Sequence, residues 1–383
     1  MNEPLHQIET ALLAGDWDRL GYEAGAWVRA LESADEKDPR PYFALNVTHL
    51  IRAEYAEAWR VHAHALQETA DIERVGEWVQ AVLKQHPDNP YVNLVQGMFL
   101  AQSGQSEQSV VFYKEAARLA PQSAYPHYFL AQIHERANHL EMAIKEYREA
   151  VKLDPAFAAA RTNLGVAYQE QGRLEMAIPQ YREVIKLNPN DGVAHANLGC
   201  ALAEQGKFEP ALQAYKEALR LTPNDAEIHF ALGGVYETKG RMDLAVKEYR
   251  AATDANPELA PAHTALGWLL MEQSRPGEAM DAFNRAVKAN PEEAQALYGI
   301  GRIYAAKGKR ESAAENFSKA IRFEKDPAKK KCHYERPLRQ RSDRGLRPRT
   351  LPFCARATER QTLPTLGART VRPRSTSPGF TGC

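Results

Sequence analysis

The fold can be inferred from Ala158–Asp191, which reads AAARTNLGVAYQEQGRLEMAIPQYREVIKLNPND. Apolar residues recur at Leu164, Ala167 and Tyr168, with the i, i+3, i+4 spacing of an amphipathic helix. A second set with the same spacing runs from Leu174 to Ile185. This stretch therefore predicts two helices joined by a short connection.

Two residues mark where these helices end. Gly172 can close the first helix, because glycine adopts a left-handed backbone conformation without a Cβ penalty. The second helix has to stop before Pro189, since the residue that precedes a proline is driven out of the α region. The stretch is therefore expected to be a hairpin of two helices.

The same stretch is copied in tandem. Proline recurs every 34 residues, at Pro87, Pro121, Pro155, Pro189, Pro223, Pro257 and Pro291. A small residue recurs in the first helix, at Gly97, Ala131, Gly165, Gly199, Gly233, Gly267 and Gly301. A ring recurs in the second helix, at Tyr113, Tyr147, Tyr181, Tyr215, Tyr249, Phe283 and Phe317. A period of this length predicts an array of hairpins in which each hairpin covers the ring of its neighbour.

The unit resembles the tetratricopeptide repeat, on the pattern Asn163-Leu164-Gly165…Tyr168…Gly172…Ala177…Tyr181…Pro189. The resemblance implies an all-α fold, a right-handed α-solenoid of antiparallel helix pairs. It also implies that the first helices line a concave groove that binds a peptide or protein segment. On this basis the chain divides into degenerate N-terminal helices at 1–55, a repeat array at 56–325 and a tail at 326–383. The array consists of one weak repeat at 56–89, which contains Trp59, and seven clear repeats at 90–325.

The resemblance further implies which residues face a partner. The groove positions include Asn163 and Asn197, whose amides can both donate to and accept from a peptide backbone. This pair is locally similar to the asparagine ladder in the repeats of O-linked N-acetylglucosamine transferases. A solvated asparagine on an exposed helix face is the alternative explanation for both residues.

Aromatic and acidic residues on other groove positions suggest how a partner is held. The aromatic residues are interpreted as anchors for a partner, and they are Tyr128, Phe230, Trp268 and Tyr298. We expect Trp268 to be exposed in the absence of the partner. Glu170 and Glu204 belong to a row of carboxylates near the inner ends of the first helices, which would attract a basic segment. A plain solvated face also explains the glutamates.

The remaining composition argues against other classes of protein. The chain is 44% hydrophobic and 26% charged, and it has no run of apolar residues long enough to cross a membrane. Its first residues lack the basic-then-apolar order of a secretory signal, so a cytoplasmic protein is expected. The motifs GxxxxGKS, GxxxxGKT, GxSxG and HExxH are absent, as is a GxGxxG that follows a strand. We therefore predict a non-enzymatic protein without a cofactor.

Four histidines share one position of the repeat and could suggest a metal site: His127, His195, His229 and His263. A metal ion needs nitrogen ligands at about 2.0–2.1 Å. Equivalent positions on successive first helices are separated by roughly 8–10 Å, the distance at which helices pack. The histidines are therefore expected to pack in the structure, and no metal site is predicted.

The tail differs from the rest of the chain. From Asp326 onward there are 14 basic and four acidic residues, a net charge of +10, which leaves −10 for the preceding residues. Because Arg336–Cys383 has few large apolar residues, it is predicted to be disordered. Three interpretations remain: a basic arm for nucleic acid or acidic surfaces, a flexible linker, or a translation outside its proper frame. The loss of lysine beside enriched arginine and proline favours the third.

Together these features predict an interaction scaffold or adaptor that binds a protein or peptide segment, preferably a basic one. The alternatives are a nucleic-acid-associated protein that acts through its basic tail and a regulatory subunit of an enzyme complex. The negative charge of the residues before the tail argues against nucleic acid in the groove. The sequence makes no prediction of oligomeric state.

Overall fold

The computed structural model describes residues 17–34 and 86–324 of the chain, and isolated positions at 7, 8, 10, 11, 44, 45, 48, 79, 80, 83 and 84. In this part of the chain the regular secondary structure consists of fifteen helices, without strands. Most of the predicted N-terminal region and of the weak repeat, including Trp59, lies outside the described residues, as does the tail at 326–383.

The helices are numbered in chain order. Their bounds are α1 Trp17–Ala34, α2 Pro90–Gln102, α3 Ser106–Leu119, α4 Tyr125–Arg136, α5 Leu140–Leu153, α6 Ala158–Glu170, α7 Leu174–Leu187, α8 Gly192–Glu204, α9 Phe208–Leu221, α10 Ala226–Thr238, α11 Met242–Ala255, α12 Ala260–Glu272, α13 Pro276–Ala289, α14 Ala294–Ala306 and α15 Arg310–Phe323. We call the even-numbered helices from α2 onward first helices and their successors second helices.

The described residues form two compact units, a first unit that ends at Arg173 and a second unit that begins at Leu174. In the first unit α2 packs against α3 and α4 against α5. In the second unit the pairs are α8 with α9, α10 with α11, α12 with α13, and α14 with α15. Each of these first helices also packs against the second helix that precedes it, and α8 contacts α10 as α12 contacts α14. The prediction of an all-α fold built from stacked helix pairs is therefore confirmed.

The turn inside each hairpin explains why the two helices run antiparallel. Three residues separate α8 from α9, and the middle one, Gly206, has φ +79°. The amide of Lys207 donates to the carbonyl of Leu202 at 2.8 Å, which satisfies a carbonyl at the end of α8. Gly172 has φ +72° in the equivalent turn, so its predicted left-handed conformation is confirmed. Asn138 takes the position with φ +61°, as an asparagine can in this region.

The core of each hairpin is the aromatic ring of its second helix. A Cβ added to Gly267 would lie 2.5 Å from the ring of Phe283, and a Cβ added to Gly299 would also lie 2.5 Å from it. Phe283 therefore sits between the first helix of its own hairpin and that of the next. The rings that precede Phe283 in this series are likewise 2% exposed or less: Tyr113, Tyr147, Tyr181, Tyr215 and Tyr249. The structure thus confirms that these rings are buried, and for Phe283 that the next hairpin provides part of the cover.

This packing predicts that alanine substitutions at two glycines of adjacent helices change the stability in opposite directions. Gly267→Ala should lower the free energy of unfolding by about 1–3 kcal/mol, because its methyl group overpacks the contact with Phe283. Gly277, on α13, has open space where a Cβ would lie, so Gly277→Ala should raise stability by up to about 1 kcal/mol. Urea denaturation followed by circular dichroism measures both changes. Equal transition midpoints for the two variants would contradict the role given to the ring contact.

Candidate partner-binding surface

The predicted binding residues lie on first helices, as the repeat pattern requires. In the first unit Tyr128 lies on α4, and Asn163 and Glu170 lie on α6. In the second unit the predicted residues are Asn197 and Glu204 on α8, Phe230 on α10, Trp268 on α12 and Tyr298 on α14. We call the surface formed by α8, α10, α12 and α14 the first-helix surface.

The predicted aromatic anchors are buried. The exposed fraction is 3% for Tyr128, 6% for Phe230 and Trp268, and 9% for Tyr298. The expectation of an exposed Trp268 is therefore wrong. The physical reason is that its indole packs edge-on against the ring of Phe283, with centroids 5.3 Å apart, and so belongs to the core of its own hairpin. Whether these residues also bind a partner stays a prediction.

The structure brings two of the four aromatic residues together. The ring centroids of Trp268 and Tyr298 lie 6.1 Å apart, and the guanidinium of Arg302 lies 5.6 Å from the centroid of Trp268. The other two aromatic residues do not belong to this cluster. Phe230 packs on Tyr249, and Tyr128 lies in the first unit. The indole Nε1 of Trp268 is buried and has no hydrogen-bond acceptor among the described residues.

The two predicted asparagines are equally buried, with 5% of each exposed, but they differ in hydrogen bonding. The Nδ2 of Asn163 donates to the hydroxyl of Tyr147 at 3.2 Å, and that hydroxyl donates to Oε2 of Glu135 at 3.0 Å. The Nδ2 of Asn197 has no acceptor among the described residues. A buried donor without a partner costs about 1–3 kcal/mol. Asn163 thus stabilises the fold, whereas Asn197 leaves a donor unused.

The glutamate row has a structural role that the sequence reasoning missed. The hydroxyl of Tyr249 donates to Glu237 at 2.7 Å, just as that of Tyr147 donates to Glu135. In both pairs the carboxylate comes twelve residues before the tyrosine, a spacing that could have revealed the contact. Burial raises the pKa of Tyr215 well above its ordinary value, and the charge of Glu204 adds a smaller increase. Glu204 itself is exposed at the end of α8.

Glu170 ends α6 in a different setting. Its side chain is half-buried, and it lies at the inner end of the first helix where the sequence predicts it. Its role towards a partner, like that of Glu204, stays a prediction.

The four histidines at one repeat position have structural contacts. His127 and His229 each place Nδ1 2.7 Å from a glutamate of the second helix, Glu146 and Glu248 respectively. The Nε2 atoms of His195, His229 and His263 lie 3.0–3.1 Å from backbone carbonyls, those of Pro189, Pro223 and Pro257. Within the described ranges, no group of three or more His, Cys, Asp or Glu residues is arranged to hold a metal ion. No helix in the same ranges is long and apolar enough to span a membrane.

The hairpin geometry and its repeat period define a tetratricopeptide repeat array. A family model described as the cilia and flagella-associated protein 70 C-terminal domain matches residues 54–298, more than half of the chain. The chain therefore belongs to this family. A tetratricopeptide repeat model also matches residues 294–327. The similarity to O-linked N-acetylglucosamine transferases is not shown by these matches.

Three solved structures are similar to this chain to different degrees. The APC/C hetero-tetramer Cut9-Hcn1 matches at a TM-score of 0.52 and 17% identity, covering 78% of this chain and 63% of that one. Pseudomonas aeruginosa pilF matches at a TM-score of 0.48 and 21% identity, covering 57% and 97%. YrrB, described as a TPR protein with an unusual peptide-binding site, matches at 0.41 and 24% identity, covering 51% and 97%. The match to Cut9-Hcn1 shows the fold. No curated protein sequence gives a significant match.

The contrast between the two asparagines generates a prediction about stability. Asn163→Ala should lower the free energy of unfolding by about 1–3 kcal/mol, since it leaves the buried hydroxyl of Tyr147 with one partner fewer. Asn197→Ala removes a donor that has no partner and should leave stability unchanged or slightly raised. Chemical denaturation of the two variants beside the original protein measures this. The assignment fails if Asn197→Ala is the more destabilising change.

A second prediction concerns pH. The carboxylate of Glu248, and then the carbonyl of Pro223, raise the pKa of His229 above its ordinary value, after burial has partly opposed them. Because the folded pKa exceeds the unfolded one, the stabilisation is full below about pH 6.5 and is lost as the pH rises through the folded pKa. His229→Gln should therefore destabilise the protein more at about pH 5.5 than at about pH 8.5.

The control for this prediction is His263, whose pKa is lowered mainly by burial. Its contribution to stability is present above about pH 6.5 and is lost as the pH falls through its folded pKa. His263→Gln should therefore show the opposite pH trend in the same denaturation series. Parallel trends for the two variants would contradict the pairing of His229 with Glu248.

Proposed function

We propose that the protein is a non-enzymatic scaffold that binds a segment of a partner protein along the first-helix surface. The observation that carries the proposal is the pair of buried donors without acceptors, Nδ2 of Asn197 and Nε1 of Trp268, on α8 and α12. A small shift of the side chains that cover these donors brings them to the surface, where the backbone of a bound segment supplies carbonyl acceptors. Membership of a tetratricopeptide repeat family supports the same proposal.

Charge indicates which kind of segment fits. Glu204 and Glu272 are exposed at the ends of α8 and α12, and Glu237 is half-buried near the end of α10. The partial negative charge at a helix C-terminus adds to that of the carboxylates. We therefore propose a basic segment as the ligand. Nucleic acid is disfavoured on this surface, because its phosphates would meet the same charges.

The aromatic residues take a different role from the one expected from the sequence. Trp268 and Tyr298 are too deeply buried to insert into a partner, so we propose that they form the floor on which the segment lies. Arg302, stacked on Trp268, holds this floor in place. Fixing the floor in advance lowers the entropic cost of binding. A surface of this kind needs neither a catalytic residue nor a cofactor.

The experiment that tests this proposal has two stages. The full chain is used as bait, the captured proteins are identified, and tiled peptides of each are assayed by fluorescence anisotropy. Asn197→Ala and Trp268→Ala should each weaken a true ligand by about 1 kcal/mol or more. Glu204→Gln combined with Glu272→Gln should weaken it further and reduce the salt dependence.

Gly277→Ala serves as the control, because its position on α13 lies away from the first helices and its new Cβ meets no neighbour. It should leave the affinity unchanged. The proposal fails if the ligands whose affinity depends on Asn197 or Trp268 are acidic. It also fails if Asn197→Ala and the double glutamine variant bind every captured ligand as tightly as the original chain does.

A further inference from the structure

On the side of the hairpins where second helices meet, two repeats of the second unit each leave an outer groove. Its walls are two consecutive second helices and its floor is the first helix between them. In the second unit the α7–α9 groove, with α8 as its floor, has a volume of about 680 Å³. The equivalent α11–α13 groove, over α12, has a volume of about 300 Å³.

The hairpins differ at one residue position beside the groove, nineteen residues after the histidine. In the α4–α5 and α10–α11 hairpins a glutamate follows the histidine by nineteen residues, and its carboxylate lies 2.7 Å from Nδ1 of that histidine. The residue nineteen positions after His195 is Ala214. His195 and Ala214 both line the α7–α9 groove. Nδ1 of His195 has no hydrogen-bond partner among the described residues, while its Nε2 lies 3.1 Å from the carbonyl of Pro189.

A second carboxylate is absent at the rim of the same groove. In the α11–α13 groove the guanidinium of Arg250 on α11 lies 2.9 Å from the carboxylate of Glu278 on α13, so an ion pair bridges the two walls. The equivalent residues of the α7–α9 groove are Arg182 and Pro210. Arg182 is exposed, and it makes no ion pair with any described residue. The α7–α9 groove therefore lacks both the glutamate that pairs with the histidine and the ion pair that connects the two walls.

The floor of this groove is mainly apolar, and each wall adds an apolar residue between charged ones. Leu198 and Leu202 project from α8, and Ile185 lines the wall on α7. Leu198 and Ile185 are only half-buried.

The two glutamates in the lining, Glu209 and Glu217, are already paired with Lys239 and Arg220. An apolar depression flanked by Arg182, a cation without an ion-pair partner among the described residues, fits a ligand with an apolar side chain and carboxylates beside it.

We propose that the α7–α9 groove is a second binding site, and that its occupant is an acidic, apolar segment of a partner protein. One carboxylate of that segment binds Nδ1 of His195, as Glu248 binds His229 in the chain's own hairpin. Another binds Arg182, as Glu278 binds Arg250. A Leu, Met or Phe side chain between them packs on Leu198. The chain's own repeats thus supply both contacts from which the ligand is inferred.

This site differs from the first-helix surface in place and in charge preference. It takes an acidic segment, while the proposed function calls for a basic one. It also depends on residues that the first-helix surface does not use. The two proposals can therefore succeed or fail separately.

The test is a selection from a phage library of random 16-residue peptides on the full chain, with counter-selection on the Ala214→Glu variant. Ala214→Glu supplies the carboxylate that the other hairpins carry, so it should pair with His195 and close the groove. Selected peptides should combine Leu, Met or Phe with Asp or Glu. A synthetic copy of the best peptide should bind Ala214→Glu and Arg182→Glu roughly tenfold or more weakly than the original chain.

Two measurements keep this test interpretable. Circular dichroism and the urea midpoint check that Ala214→Glu is folded, which is expected because a His–Glu pair already exists at this position of two hairpins. Gly277→Ala on α13, whose new Cβ meets no neighbour and which does not line this groove, should not change the affinity of the peptide. The proposal is overturned if no peptide depends on Ala214, or if the selected peptides are basic. It is also overturned if ultracentrifugation shows that the original chain self-associates and Ala214→Glu does not, since the occupant would then be a second copy.

Discussion

The structure depends on one contact, the packing of the aromatic ring of a second helix against a glycine of the first helix in its own hairpin and, for Phe283, also against a glycine of the next first helix. Phe283 shows the arrangement, because a Cβ on Gly267 or on Gly299 would lie 2.5 Å from its ring. The ring is fully buried only because two hairpins cover it. A single hairpin leaves such a ring bare, so the stability of each repeat is shared with its neighbours.

This contact also determines the chemistry of the first helices. A tyrosine at the ring position brings a hydroxyl into the core, and a buried hydroxyl needs a partner. Glu135 and Glu237 supply it for Tyr147 and Tyr249. The hydroxyl of Tyr113 has no partner among the residues that the structure describes, and the residue twelve positions before it is Ala101. The glutamate row therefore has a structural role in the fold that does not depend on a partner.

Much of the fold could be predicted from the sequence, because the 34-residue period, the left-handed Gly172 and the stop before Pro189 are local signals. The burial and hydrogen bonding of the candidate site residues could not be predicted in this way. The period places Trp268 on a first helix, but its burial depends on the ring of Phe283, fifteen positions later on another helix. Asn163 and Asn197 occupy the same repeat position and look alike in sequence. Only the structure shows that one amide reaches a hydroxyl and the other does not.

In a repeat array the departures from the common pattern carry the information about function. Residue types that every hairpin shares, such as the ring and the small residue of the first helix, serve the stacking and say nothing about a ligand. Where one hairpin lacks a contact that another hairpin makes, the side chain left without that contact is available to bind the same chemical group on a ligand. Ala214 and Ala282 both replace a glutamate, but Arg250 and Glu278 bridge the second groove, while Arg182 has no such partner among the described residues. Comparison of equivalent positions within one chain thus separates groups that complete the fold from groups that are left for binding.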